Sequence, residues 1–175
     1  MALRDLGKSE EAIAAFDKAL EINPNDEMAL YRKGYFRIKL GIYEEAIAFY
    51  NKALKVNPNY EALYCKGRTL EKLGKYEEAI VAFDKALEIV NAEKAWYQKG
   101  LALEKIGKYN KAIAVYDEAL KIDLNYEEAW NNKGGALANL GRYEEAIAAY
   151  DKALEINPYN ERVLRNHAIL WKKGH

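Results

Sequence analysis

The sequence predicts an all-α protein built from repeated antiparallel helix pairs, and three observations carry the prediction. A glycine recurs as Gly7, Gly41, Gly74, Gly107 and Gly141, at intervals of 34, 33, 33 and 34 residues. A second glycine keeps the same beat in Lys33-Gly34, Lys66-Gly67, Lys99-Gly100 and Lys133-Gly134. Between these marks the apolar columns are spaced by 3, 4 and 7 residues, as in Ala46-Tyr50-Ala53, Ala79-Phe83-Ala86, Ala112-Tyr116-Ala119 and Ala146-Tyr150-Ala153. That spacing is helical and not strand-like. Three units reach Asn-Pro, at Asn23-Pro24, Asn57-Pro58 and Asn157-Pro158, where proline stops a helix.

Each unit therefore reads as two helices of three to four turns, joined by the first glycine and closed by Asn-Pro. The glycine inside the first helix costs ~1 kcal/mol of helix propensity against alanine, which points to a close helix contact there. Small alanines let two backbones approach, and the aromatic four residues later fills the groove between them. Glu44-Glu45, Glu77-Glu78 and Glu144-Glu145 open the second helices, where negative charge suits the helix dipole. In order, the chain divides into a half repeat (1–26), repeats 27–59, 60–92, 93–126 and 127–160, and a closing helix (161–175). The half repeat is expected to hold the tail of a first helix, a turn at Gly7 and a complete second helix. Two units depart from the pattern. Val90-Asn91-Ala92 has no proline and Leu124 replaces one, so these connections are expected to hinge or to pack differently.

Composition narrows the function. Lys plus Arg and Asp plus Glu both number 27, a zero net charge that argues against a dedicated nucleic-acid binder. No apolar run approaches the ~20 residues that span a bilayer, and a membrane role is not expected. Cys65 is the one cysteine, which excludes a disulfide framework and makes a reducing cytoplasm the default compartment. Catalytic readings fail. Gly7-Lys8-Ser9 imitates a phosphate loop, but Ala2 stands five residues before Gly7 and no strand precedes it. His167 and His175 have no partners at metal-ligand spacing, and with one serine and one cysteine no nucleophile triad can be assembled. Cys65 reads as a small groove-facing apolar residue. No enzyme activity, cofactor or metal is expected.

The period, the Gly-x-Tyr turn, the Ala-x3-aromatic-x2-Ala columns and the terminal proline resemble the tetratricopeptide repeat over essentially the whole chain. The resemblance implies a right-handed α-solenoid with a closing C-terminal helix, working as a protein-binding scaffold. One departure recurs: the leucine expected before the second glycine is Lys33, Lys66, Lys99 or Lys133. Those lysines are read as stems lying along a helix pair, not as a site. Such solenoids present an inner face made by the first helices. Charge segregates accordingly: the first-helix segments 1–7, 27–41, 60–74, 93–107, 127–141 and 161–175 carry 0, +3, +1, +1, −1 and +3. The second-helix segments together balance them with −7.

The resemblance also implies ligand-facing places on each first helix. The fifth place holds Tyr31, Tyr64, Tyr97 and Asn131; the sixth holds Arg32, Cys65, Gln98, Asn132 and Asn166; the ninth includes Tyr35 and Arg68. The tyrosines form either a ladder of rigid amphipathic surfaces or helix packing. Gln98, Asn132 and Asn166 resemble the asparagine ladder of the repeat domain in O-linked N-acetylglucosamine transferases, where amides serve the backbone of an extended peptide. The carboxylate clamp of chaperone-binding members is not matched. Its places hold Tyr31, Tyr35, Cys65, Lys94 and Gln98, or Tyr97, Leu101, Asn132, Arg162 and Asn166. The expectation is a non-catalytic scaffold that takes an extended acidic peptide or partner protein in the groove.

The alternative is self-assembly through the ends, as a homo-oligomer. There Ala12, Phe16 and Ala19, columns that normally pack against a first helix, would be exposed because residues 1–26 lack a proper one, and Leu164, Ala168 and Trp171 would be exposed on a first helix without a second. Residues 1–26 carry −3 and residues 161–175 carry +3, and Met1–Leu6 would have to make way for Ile169–Gly174.

Overall fold

The computed structural model describes the backbone of residues 2–174 and the side chains of residues 7–171. The described residues form ten helices and no strand: α1 (Ala2–Ile22), α2 (Glu27–Lys39), α3 (Tyr43–Val56), α4 (Tyr60–Lys72), α5 (Tyr76–Ile89), α6 (Glu93–Lys105), α7 (Tyr109–Ile122), α8 (Glu127–Asn139), α9 (Tyr143–Ile156) and α10 (Glu161–Gly174). This is the helix-pair architecture of an α-solenoid. The chain divides into two compact units, Met1–Val90 with α1–α5 and Asn91–His175 with α6–α10. In the first, consecutive helices pack in pairs and α2 also touches α4; in the second, α8 touches both α6 and α10 besides its neighbours.

The two period lengths have a simple origin. First helices α2, α4, α6 and α8 run 13 residues and second helices α3, α5, α7 and α9 run 14. Connections of three residues, at 57–59 and 90–92, give 33, and connections of four, at 23–26 and 123–126, give 34.

The turns inside each pair are set by glycine. Gly41, Gly74, Gly107 and Gly141 have φ between 71° and 75°, a left-handed conformation that a Cβ disfavours. Around Gly41 the amide of Ile42 donates to Arg37 O at 2.9 Å and that of Gly41 to Ile38 O at 3.0 Å, the double closure of a Schellman motif, and the other three turns repeat it. Gly7 differs. α1 runs unbroken from Ala2 to Ile22, so the expected turn at Gly7-Lys8-Ser9 is absent and the half repeat is one long helix. One sequence difference lies two residues on. Tyr109 and Tyr143 follow their turns and pack back onto the core, whereas Ser9 stands at that place after Gly7. With no ring to anchor a reversal, a helical glycine costs only ~1 kcal/mol.

The second glycines admit the rings of the following helix. A Cβ on Gly34 would stand 2.9 Å from Tyr50 Cε1, on Gly67 2.5 Å from Phe83 Cε1, on Gly100 2.3 Å from Tyr116 Cε1 and on Gly134 2.6 Å from Tyr150 Cε1. These rings are buried between the alanines of their own columns, which are fully buried too.

Caps finish the first helices unevenly. Asp26, Asn59 and Asn160 accept the amides of Ala29, Ala62 and Val163 at 2.9, 2.8 and 3.2 Å. The amide groups of Asn59 and Asn160 also donate to Glu27 and Glu127 at 2.7 and 2.9 Å, tying successive first helices together within each unit. Ala92 and Tyr126 begin α6 and α8 without such a cap. The division between the compact units falls beside Ala92. The connection at Leu124, by contrast, does not pack differently. Asp123 Oδ1 accepts the Asn125 amide at 2.9 Å just as Asn23 Oδ1 accepts that of Asn25 at 3.1 Å, so an aspartate reproduces the turn that Asn-Pro makes elsewhere.

Candidate functional site: the first-helix faces

In the first unit the candidate residues lie on α2 and α4. Arg32 and Tyr35 are exposed and share a helical stripe with Met28 and Lys39. The Arg32 guanidinium stands 5.9 Å from the Tyr31 ring and the Lys39 ammonium 5.3 Å from the Tyr35 ring. On α4, exposed Arg68 donates to the Tyr64 hydroxyl at 3.4 Å and lies 3.6 Å from Glu71. Tyr31 reaches across from α2 to α4, its hydroxyl 3.6 Å from Cys65 Sγ. Burial pushes both groups to higher pKa, so Cys65 stays a protonated thiol, in keeping with an inert packing residue.

In the second unit the polar residues form a chain. Asn131 Nδ2 donates to Asn132 Oδ1, and Asn132 Nδ2 donates to the Tyr97 hydroxyl, each at 2.9 Å. The Tyr116 hydroxyl donates to Glu104 Oε1 at 2.7 Å. Asn131 is buried, so it does not face a ligand as expected; it orients Asn132 instead. Tyr31, Tyr64 and Tyr97, at the same place in the other repeats, each rest on a ring of their own second helix and stay half-buried. Gln98 and Asn166 are half-buried and their amides bond to no other described side chain.

The tyrosine column packs. Tyr31, Tyr64 and Tyr97 rest on Tyr50, Phe83 and Tyr116, with ring centroids 5.8, 6.0 and 5.9 Å apart, and each is half-buried. Tyr97 also meets Tyr126 at 4.9 Å, and burial raises its pKa. The rings therefore build the walls of these faces and present an edge, while Tyr35 is the exposed ring among them.

Sequence reasoning missed two carboxyls. Glu71 and Glu104 occupy one column, three residues before the turn glycine, and both are largely enclosed. Burial pushes Glu71 up to about 7, only partly opposed by Arg68, and raises Glu104 as well, there offset by the Tyr116 hydroxyl. The signal was present as a glutamate in two successive units where Ile38 and Ala138 stand in the others.

At the ends, Phe16 is half-buried against Phe36, 6.0 Å away, so α2 covers much of the face expected to be open. Leu164 and Trp171 are 45% and 52% exposed, and Trp171 stacks on His167. Val163 and Leu170 fasten the other side of α10 to the core. The overlap expected between Met1–Leu6 and Ile169–Gly174 falls in part outside the described residues.

Helix hairpins of fixed length, a left-handed glycine at each of the four turns and a ring seated on each inner glycine define a helical-repeat protein. Tetratricopeptide repeat models match residues 59–125 and 97–161, and a model described as anaphase-promoting complex, cyclosome, subunit 3 matches residues 5–86. The chain belongs to the tetratricopeptide repeat family.

Among solved structures it resembles YrrB, described as a TPR protein with an unusual peptide-binding site, at 28% identity and a TM-score of 0.82, covering 93% of this chain and 85% of that one. MamA is similar at 27% identity and a TM-score of 0.84, over 89% of this chain and 92% of its own. A tetratricopeptide repeat protein from Parabacteroides merdae ATCC 43184 shares the fold at 19% identity and a TM-score of 0.81, over 98% of this chain and 72% of its own. No curated protein matches the chain. Among the described residues no helix is long and apolar enough to cross a membrane.

Proposed function

We propose that this chain is a non-catalytic scaffold, working in a reducing cytoplasm, that holds an extended acidic peptide or protein segment against its first-helix faces. The carrying observation is the exposed stripe Arg32-Tyr35-Lys39 on α2 beside exposed Arg68 and Lys72 on α4, which touches it. An exposed tyrosine supplies a rigid amphipathic contact at low entropic cost, and the surrounding cations select carboxylates. In the second unit Gln98, Asn132 and Asn166 supply amides suited to a peptide backbone.

The test is fluorescence anisotropy with a labelled acidic peptide carrying spaced leucines. Affinity is expected to fall as salt rises, since exposed charges are screened beyond ~10 Å at 0.1 M. Tyr35→Ala combined with Arg68→Ala is expected to weaken binding by about 2 kcal/mol. These positions are better probes than Tyr64 or Tyr97, whose removal would also disturb packing. Binding indifferent to both salt and the double substitution overturns the reading.

One observation favours a second reading, assembly into homo-oligomers: the exposed face of α10 with Leu164, Ala168 and Trp171. If that face docks on another copy, Trp171→Asp should lower the mass measured by sedimentation equilibrium. A monomer before and after the change ends that reading.

A further inference from the structure

The repeated lysines are not all alike. Ten residues after each turn-column glycine stands Asp17, Asn51, Asp84, Asp117 or Asp151. This column lies on second helices, and at three junctions the residue in the lysine column of the next repeat's first helix reaches it. Lys33 bonds Asp17, Lys133 bonds Asp117 at 2.6 Å, and His167, which holds the lysine place in α10, lies 3.0 Å from Asp151. Lys66 is the exception, because its column partner is Asn51. Among the described residues it forms no ion pair. It is half-buried, and burial together with the nearby Lys85 ammonium lowers its pKa, with the Glu78 carboxylate opposing the shift.

Lys66 lines a groove of about 800 Å³ that lies wholly within the first unit, floored by α4 between α3 and α5. Leu54, Leu63, Val81 and Ile89 make its walls apolar, and Lys55, Lys85, Glu78 and Glu88 add charge of both signs. Val81 and Ile89 are 54% and 47% exposed. The groove around Trp130 in the second unit is about 450 Å³, and there Asp117, bonded to Lys133, already supplies the carboxylate. Leu63 occupies the column of Trp130, so the first unit has both the space and the unanswered cation.

We propose that this groove is a second binding site, away from the first-helix stripe, for an amphipathic segment of a partner protein whose Asp or Glu side chain pairs with Lys66 while flanking leucine- or isoleucine-like side chains cover Leu63, Val81 and Ile89. A desolvated cation gains most from a carboxylate that arrives with its own apolar cover, because the pair is then shielded from water. The partner's carboxylate does there what Asp17 and Asp117 do at their own junctions.

The experiment follows the methyl signals of Leu54, Leu63 and Val81 by NMR during titration with a short glutamate–leucine peptide, with its glutamine–leucine counterpart, and with octanoate. Saturable shifts with the glutamate peptide are expected, with affinity about tenfold weaker for the glutamine peptide. Asn51→Asp fills the vacant column place with an internal carboxylate. It should raise Tm and weaken the glutamate peptide about tenfold. Tyr35→Ala with Arg68→Ala should leave this site unchanged, so failure here is distinguishable from failure of the first-helix reading. The proposal is overturned if no saturable shift occurs, if Asn51→Asp leaves the affinity unaltered, if the glutamine peptide binds equally well, or if octanoate saturates the same methyls as tightly as the peptide.

Discussion

Two residue types carry the interior of each repeat, a glycine that makes room and a ring that uses it. Gly100 faces the tightest approach, 2.3 Å between an ideal Cβ and Tyr116 Cε1. Alanine would gain ~1 kcal/mol of helix propensity there. The displaced ring, fully buried and bonded to Glu104, would cost about 1–3 kcal/mol through overpacking. Gly100→Ala should therefore lower the stability measured by urea unfolding. Glu71 makes a different prediction. It occupies the place of Glu104, but the ring opposite is Phe83 and has no hydroxyl to donate. Burial lifts its pKa from 4.5 to about 7. On raising the pH the unfolded chain ionises first, so this group's contribution is full below about pH 4.5 and is lost as pH passes through 7. Glu71→Gln should flatten that dependence, with the native chain losing on the order of 3 kcal/mol relative to the variant between those limits.

At the scale of the element, helix ends decide how sharply one repeat hands over to the next. The connection 123–126 already has the geometry of a proline-containing one. Asp123 has φ −133° and ψ 100°, which suits a residue before proline, and Leu124 is 69% exposed. The bond from Trp130 Nε1 to Leu124 O uses a carbonyl that proline would keep. Leu124→Pro should therefore be neutral or stabilise by up to about 1 kcal/mol, read as a rise in Tm. A loss instead would mean that the Leu124 amide is needed. The Gly7 segment carries the opposite lesson. The glycine is in register with the four turn glycines, yet the helix runs through it.

Across the whole molecule, stability in such a protein is close to a sum of repeat and nearest-neighbour terms. The described contacts agree, since within each compact unit a helix meets its sequence neighbours and, in places, the next first helix. Deleting residues 93–126 in register should lower Tm while leaving the remainder helical by circular dichroism. Loss of all cooperative unfolding would show instead that this repeat is indispensable. Charge is organised at the same scale, with cations gathered on first helices and acids on second helices, and the two proposed sites draw on different faces of the first unit.

The helix pairs, four of the five turn glycines, the close contact at the inner glycines and the family were legible in the sequence, because they depend on local periodicity and on columns that recur in register. So were the polar residues of the first helices, at the level of which positions share a face. Three things were decided only by tertiary packing. Asn131 is enclosed while Tyr31, Tyr64 and Tyr97 in the same column are only half-buried. Glu71 and Glu104 differ because one faces phenylalanine and the other tyrosine, a difference between residues twelve apart in sequence. Lys66 looks like Lys33 and Lys133 along the chain, yet its environment depends on what the preceding repeat's second helix offers, and Asn51 offers no charge. Periodicity reports what a repeat shares with the others, and packing decides what a side chain meets when one column is broken.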